Sequence, residues 1–396
     1  PPLTYLNSQP SSSSSRRPGR AFYSSSTLSG RSTLAPMPSS VTASDVTKAT
    51  RGPVAASASN PASASSVSVS ESVIPSTPSG DDLLIVGPGV LGSYLGLLWK
   101  AKHPRANVVG QTNTETSHEK LRALGIAPRT NQGVSPGVAA AAGGKYPRVL
   151  FAAPPSGSAD FVGEIQKAIA LWDKDAPGAC FVYTGSAAVY DVDDGSQCNE
   201  DSPLVKKGAS ERTDKLLAAE DAVLSAGGCV LRLAGLYHAQ RGAHTFFLRM
   251  GTVDRWGGYT VNLLHYEDAA RLAEAVLSGA GLSSSSSNDS SSSSSSSWRS
   301  KAFLGTDGAP ITFQDMCDAA VASGVYKTSS PVKFTAEEAA ATSRGKLMSN
   351  AATREALGGV WQPKYSSFEA FVASGAVDLY GTDARLGGGV GAAHAG

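Results

Sequence analysis

The chain is poor in cysteine. Only four occur in 396 residues, none in a Cys-x-x-Cys pair or at metal-ligand spacing from a histidine. No disulfide framework and no structural zinc site are therefore expected, and Cys180 and Cys229, set in apolar strand patterns, read as small buried hydrophobes. An uninterrupted apolar run of about 18 residues is also missing, so no membrane span is expected. Net charge is nearly absent as well: 34 Lys and Arg stand against 33 Asp and Glu, a formal +1. That balance hides a segregation. Residues 1–70 hold six basic residues (Arg16, Arg17, Arg20, Arg31, Lys48, Arg51) against Asp45 alone, which leaves 28 basic and 32 acidic residues, or −4, for 71–396. The mildly acidic remainder offers no basic surface of the kind nucleic acid requires.

What the N-terminus has instead is serine, alanine, proline and scattered arginine. Residues 1–78 have the composition of an organelle transit peptide, and a plastid address is expected, with the cytoplasm as the alternative. Two more segments lack the apolar area to offset their ordering entropy. These are the nearly pure serine of 282–298, expected to be a disordered insertion, and the Gly-Ala stretch of 381–396, expected to be a flexible tail.

The strongest motif lies between. An apolar strand, Leu83 to Val86, runs into Gly87-Pro-Gly89-Val90-Leu91-Gly92 and then into a helical pattern through Leu98. Gly87 lets the chain turn tightly, Gly89 leaves main chain bare where a diphosphate would approach, and Gly92 lets the helix pack close to the sheet. The helix N-terminus adds unpaired N–H groups and partial positive charge. A second strand at Asn107 to Gly110 completes a βαβ spacing, and the stretch reads as a dinucleotide-binding turn. Strand patterns recur at 149–153, 180–184 and 229–233, with helical patterns at 159–172 and 210–225, the alternation of a Rossmann-type doubly wound parallel sheet. A dinucleotide-binding domain is expected over 79–236 and a smaller C-terminal substrate lobe over 237–380. Ligands in such sheets lie beyond the carboxyl ends of the strands. Besides the glycine turn, the expected cofactor contacts are accordingly Thr112, then Ala152, Ala153 and Pro154, then Thr184, then Leu233, Ala234 and Gly235.

Taken together, the glycine turn, Tyr183-Thr-Gly-Ser186-Ala-Ala-Val-Tyr190, Val230-Leu-Arg-Leu-Ala-Gly-Leu-Tyr237 and Val261-Asn-Leu-Leu-His265-Tyr-Glu-Asp268 resemble the extended, epimerase/dehydratase-like short-chain dehydrogenases. The Arg-Leu-Ala-Gly-Leu form of the third motif, with Lys346-Leu-Met-Ser-Asn350, is similar to an atypical, YeeZ-like branch. The resemblance implies an NAD(P)-dependent enzyme acting on a small carbonyl or hydroxyl compound, and by analogy a homodimer. It places on Ser186 the hydroxyl that bonds the reacting oxygen. It also implies a Tyr-x-x-x-Lys pair one helix later, whose Lys holds the nicotinamide ribose and whose Tyr moves the proton. Lys215 matches that Lys, but Glu211 stands where the Tyr belongs. Either another group does the proton work, with Tyr190, Tyr237 and His265 as candidates, or the fold binds its cofactor without turnover. Arg241, His244, Asn262 and His265 fall on the substrate side. At the end of the second strand Gln111, Thr112, Asn113 and Thr114 include no acid to repel a 2′-phosphate, and Lys120 or Arg122 could receive one, which favours NADP over NAD.

Overall fold

In a computed structural model, residues 79–131, 144–156, 158–279, 299–328 and 330–386 are described. The expected targeting segment and the serine-rich insertion lie outside them. Seven strands form one parallel sheet: β1 (Leu83–Val86), β2 (Val108–Thr112), β3 (Ala127–Thr130), β4 (Arg148–Phe151), β5 (Cys180–Ser186), β7 (Cys229–Leu233) and β12 (Ala302–Gly305). Their order across the sheet is β12-β7-β5-β4-β1-β2-β3. The chain moves one way from β1 to β2 and β3, then returns to lay β4 on the other side of β1. That reversal is the topological switch point at which such sheets open a crevice.

Composition explains the central strands. Leu83, Leu84 and Ile85 are fully buried on both faces, each contributing roughly 1.5–3 kcal/mol of burial. Asp82, itself buried, pins the register of β1 on β2 by accepting from the Asn107 N–H at 2.8 Å and from Asn107 Nδ2 at 3.1 Å. One face of the sheet is covered by α1 (Val90–Lys102), α2 (His118–Ala123) and α6 (Tyr266–Leu277), and the other by α3 (Phe161–Ala170) and α4 (Glu211–Ser225). The four cysteines are all buried and free.

The C-terminal lobe is built on a four-stranded sheet of β13 (Ile311–Thr312), β10 (Thr260–Val261), β15 (Gly345–Met348) and β6 (Asp194–Cys198). Two small pairs adjoin it, β8 (Gly235–Tyr237) with β11 (Leu263–His265), and β9 (Thr252–Val253) with β14 (Lys333–Phe334). The lobe's helices are α5 (Ala243–Met250), α7 (Phe313–Ala322), α8 (Ala351–Ala356), α9 (Phe368–Ala373) and α10 (Leu379–Thr382). Tyr237, Phe247, Phe313, Phe368 and Phe371 fill its core.

Three features differ from expectation. Strand β3, with Pro128 and Arg129, has no apolar run to announce it; as the outermost strand it tolerates a proline that a central strand would not. Strand β12 joins the main sheet beside β7, although it lies far beyond residue 236. The chain from 381 to 386 is packed rather than loose: Leu386 is fully buried, and its carbonyl accepts from Lys120 Nζ at 2.6 Å.

Candidate functional site

The β1–α1 turn assigns each motif glycine a distinct constraint. Gly87 has φ +76°, and a Cβ there would sit 2.6 Å from both Cα and N of Ala153, so neither the conformation nor the space admits a side chain. Gly92 lies against the sheet, where a Cβ would meet Ile85 Cγ2 at 2.8 Å. Gly89 is different: nothing stands within 4 Å of its Cβ position, so a side chain would project into open space and occupy it. Gly89 is the residue before α1, whose first turn has no side-chain cap and no acidic residue. Its terminal N–H groups therefore keep their partial positive charge for a ligand.

The turn opens on a cleft of about 1200 Å³ along the carboxyl edge of the sheet. Gly87, Gly89, Val90, Leu91, Gly92, Thr112, Ala152, Ala153, Pro154, Thr184, Ser186, Leu233, Ala234 and Arg241 all line it. At the β2 end, Thr112 Oγ1 bonds the Thr114 carbonyl and His118 Nε2, both at 2.8 Å. Arg129, unnoticed in the sequence, also lines this end, held by Gln111 Oε1 at 2.9 and 2.6 Å. Lys120 is there too, its ammonium pKa lowered by burial, whereas Arg122 is not among the lining residues. The described lining carries five basic side chains (Lys120, Arg129, Lys167, Arg212, Arg241) and one carboxylate, Glu164. A cleft of that sign in an acidic body draws anions.

At the other end Ser186 closes β5, its Oγ accepting from the Ala188 N–H at 3.2 Å, and α4 stands beside it. Here the expectation for Lys215 is corrected. The buried face of α4 is Leu216, Ala219, Glu220 and Val223, which turns Arg212 and Leu216 toward the cleft. Glu211 and Lys215 fall on the outer side, paired with each other at 2.7 Å and with side chains 84% and 42% exposed. That ion pair lowers the Glu211 pKa, so the carboxylate stays charged. Neither residue lines the cleft. The phase of the helix is locked from behind: Glu220 is paired with Arg232 of β7 at 2.8 Å, both buried. Burial raises the Glu220 pKa against the pull of Arg232.

Several other candidates lie outside the cleft lining, in contacts within the fold. Tyr190 is buried and outside the cleft lining, with Arg232 Nη1 donating to its hydroxyl at 3.3 Å and burial pushing its pKa up to about 12. Tyr237 is enclosed by His265, Phe368 and Phe371 in the C-terminal core. His265 caps α6 by accepting from the Glu267 N–H, and its Nε2 lies 3.2 Å from buried Asp378. His244 is fully buried and held neutral by desolvation, its pKa lowered to about 4. Asn262 ties β10 to β15, donating to the Lys346 carbonyl at 2.8 Å and accepting from the Met348 N–H at 3.0 Å. Gly235 pairs with Leu263 outside the cleft lining. Tyr266 and Leu236, which the sequence did not single out, line the cleft instead, Tyr266 beneath the Arg241 guanidinium at 5.9 Å. Among the described residues no cluster of His, Cys, Asp or Glu could hold a metal, and no helix is long and apolar enough to cross a membrane.

No protein-family model matches this sequence, and no curated protein is matched by it. Solved structures do match. A functionally unknown conserved protein from Silicibacter pomeroyi is 19% identical over 74% of this chain and 97% of its own, with a TM-score of 0.54. The enzyme WbmH of Bordetella bronchiseptica, in complex with NAD+, is 17% identical over 76% of this chain and 98% of its own, TM-score 0.54. The UDP-glucuronic acid 4-epimerase of Bacillus cereus, in complex with NAD, is 13% identical over 77% and 98%, TM-score 0.53. At these identities the likeness speaks to architecture. The chain shares with them an α/β Rossmann-like fold, a parallel sheet flanked by helices.

Proposed function

We propose that this protein is an NAD(P)-dependent oxidoreductase or epimerase-like enzyme acting on a small carbonyl or hydroxyl compound, its dinucleotide laid along the carboxyl edge from Thr112 to Ser186. The observation that carries the reading is the glycine turn. Gly87 is forced by Ala153, the Gly89 Cβ position is open, and α1 presents an unneutralised N-terminus to the cleft. When bound, the nicotinamide supplies hydride transfer, and Ser186 is the hydroxyl that would bond the reacting oxygen. Thr112, Lys120 and Arg129, with no lining carboxylate at the β2 end, support NADP, although the structural neighbours named above hold NAD. The acid-poor, arginine-bearing composition of residues 1–78 supports a plastid location.

A second reading, cofactor binding without turnover, is favoured by one observation. The helix face expected to carry the proton-transfer pair carries Arg212 and Leu216, an arginine being a permanent cation with no proton to give. Fluorescence titration of the full chain with NADPH and NADH tests the first step, the expected result being NADPH tighter by about tenfold, or ~1.4 kcal/mol. A panel of small carbonyl compounds, followed by loss of reduced-nicotinamide absorbance, then separates the readings. Binding without turnover across the panel selects the second, and failure of both dinucleotides to bind overturns both.

A further inference from the structure

We infer that the compound this cleft takes beside its dinucleotide carries an acid group, a carboxylate or a phosphate monoester, and that Arg212 recognises it. The inference deepens the reading above and rests on it. Arg212 occupies the first turn of α4, which packs on β5 and on the short 3-10 turn Ala187–Val189 that follows Ser186. It lines the same cleft as Ser186 and forms no hydrogen bond, ion pair or ring contact with any described residue.

The carboxylates of the same wall are committed elsewhere. Glu211 is paired with Lys215, and Glu220 with Arg232. Asp214 accepts from the Gly208 N–H at 2.8 and 3.1 Å, and Glu164, the one acid in the described lining, accepts from Ser158 Oγ at 2.8 Å. A guanidinium kept free of counter-charge at the mouth of a cleft is a planar fork suited to bidentate binding of a carboxylate or phosphate. The dinucleotide's own diphosphate is served at the glycine turn by main-chain N–H groups, which leaves Arg212 for the second ligand. Arg212 is the neighbour of Glu211, the position at which the resemblance expects a tyrosine, and unlike Glu211 it lines the cleft.

The test is calorimetric titration of the full chain, with and without saturating NADP+, using three sets of probes. Two are charged and esterified pairs, pyruvate against methyl pyruvate and glyoxylate against methyl glyoxylate, and the third is inorganic phosphate. The expected result is acids bound at least about tenfold more tightly than their esters, a difference abolished in Arg212→Leu and partly kept in Arg212→Lys. NADP+ affinity should stay within about twofold in both variants, which shows that they remain folded. Parity of acid and ester, absence of binding by every acid and by phosphate, or a preference surviving in Arg212→Leu would overturn the inference. If NADP+ itself fails to bind, the cofactor reading falls, and the titration of the dinucleotide-free chain decides the role of Arg212 by itself.

Discussion

The β1–α1 turn and the start of α4 are both helix N-termini at the carboxyl edge of one sheet, and they relate to their sequences in opposite ways. At the turn, the chemistry belongs to the main chain and to the absence of side chains. A glycine is a glycine whichever way its helix is rotated, so the motif and the geometry coincide. At α4 the chemistry belongs to side chains, whose direction changes by about 100° from one residue to the next. There the matched residues, Glu211 and Lys215, face outward, while their neighbours Arg212 and Leu216 face the cleft. Main-chain recognition survives a motif match; side-chain chemistry survives only if the helix phase is also right.

Breaking the lock behind α4 should have the largest effect. Glu220→Ala leaves the Arg232 guanidinium buried without its partner, and urea unfolding should show a loss of about 3–5 kcal/mol. A loss below ~1 kcal/mol would mean that the pair does not hold the helix. The first two glycines of the turn sharpen the other side of the contrast. Gly87→Ala meets the Ala153 backbone at 2.6 Å with a positive φ, and should cost about 2–3 kcal/mol of stability as well as dinucleotide affinity. Gly89→Asp has room and sits at a helix cap, so stability should stay within ~0.5 kcal/mol while its charge weakens NADPH binding by at least about tenfold. Undiminished binding in Gly89→Asp would place the phosphates elsewhere. The smallest effect is expected from placing a tyrosine at the position where the resemblance expects one. Glu211→Tyr, on the solvent side, should change stability by less than ~0.5 kcal/mol and leave turnover at the level of the unsubstituted chain. A gain in activity over the unsubstituted chain would show that residue 211 reaches the cleft after all.

How much of this was legible follows from what kind of signal each residue gives. The central strands announce themselves because burial on both faces demands continuous apolar runs, as in Leu83 to Val86. Strand β3 does not, because an edge strand tolerates Pro128 and Arg129, and its cleft-lining arginine went unnoticed with it. The phase of α4 was obscured by its own composition. Leu216 and Leu217, like Ala218 and Ala219, offer two apolar rows, and the residue that decides between them is a charged one, Glu220, buried only because Arg232 lies across from it on β7. Histidines 244 and 265 and Asn262 are polar residues in substrate-side motifs, but their partners (the Ala239 carbonyl, Asp378, and the backbone of β15) include residues up to 113 positions away in sequence. Such pairings exist only once the fold has brought them together.

The placement of β12 has a consequence for how the molecule is made. Because the strand that borders β7 comes from residues 302–305, and α6 lies along α1, the seven-stranded half cannot be finished when residues 79–236 leave the ribosome. A nascent chain that has emerged only as far as β7 carries a naked sheet border with unpaired amide and carbonyl groups, the surface on which strands of other chains add. Closure must wait for contacts spanning many residues, which slows assembly and gives chaperones a defined interval in which to act.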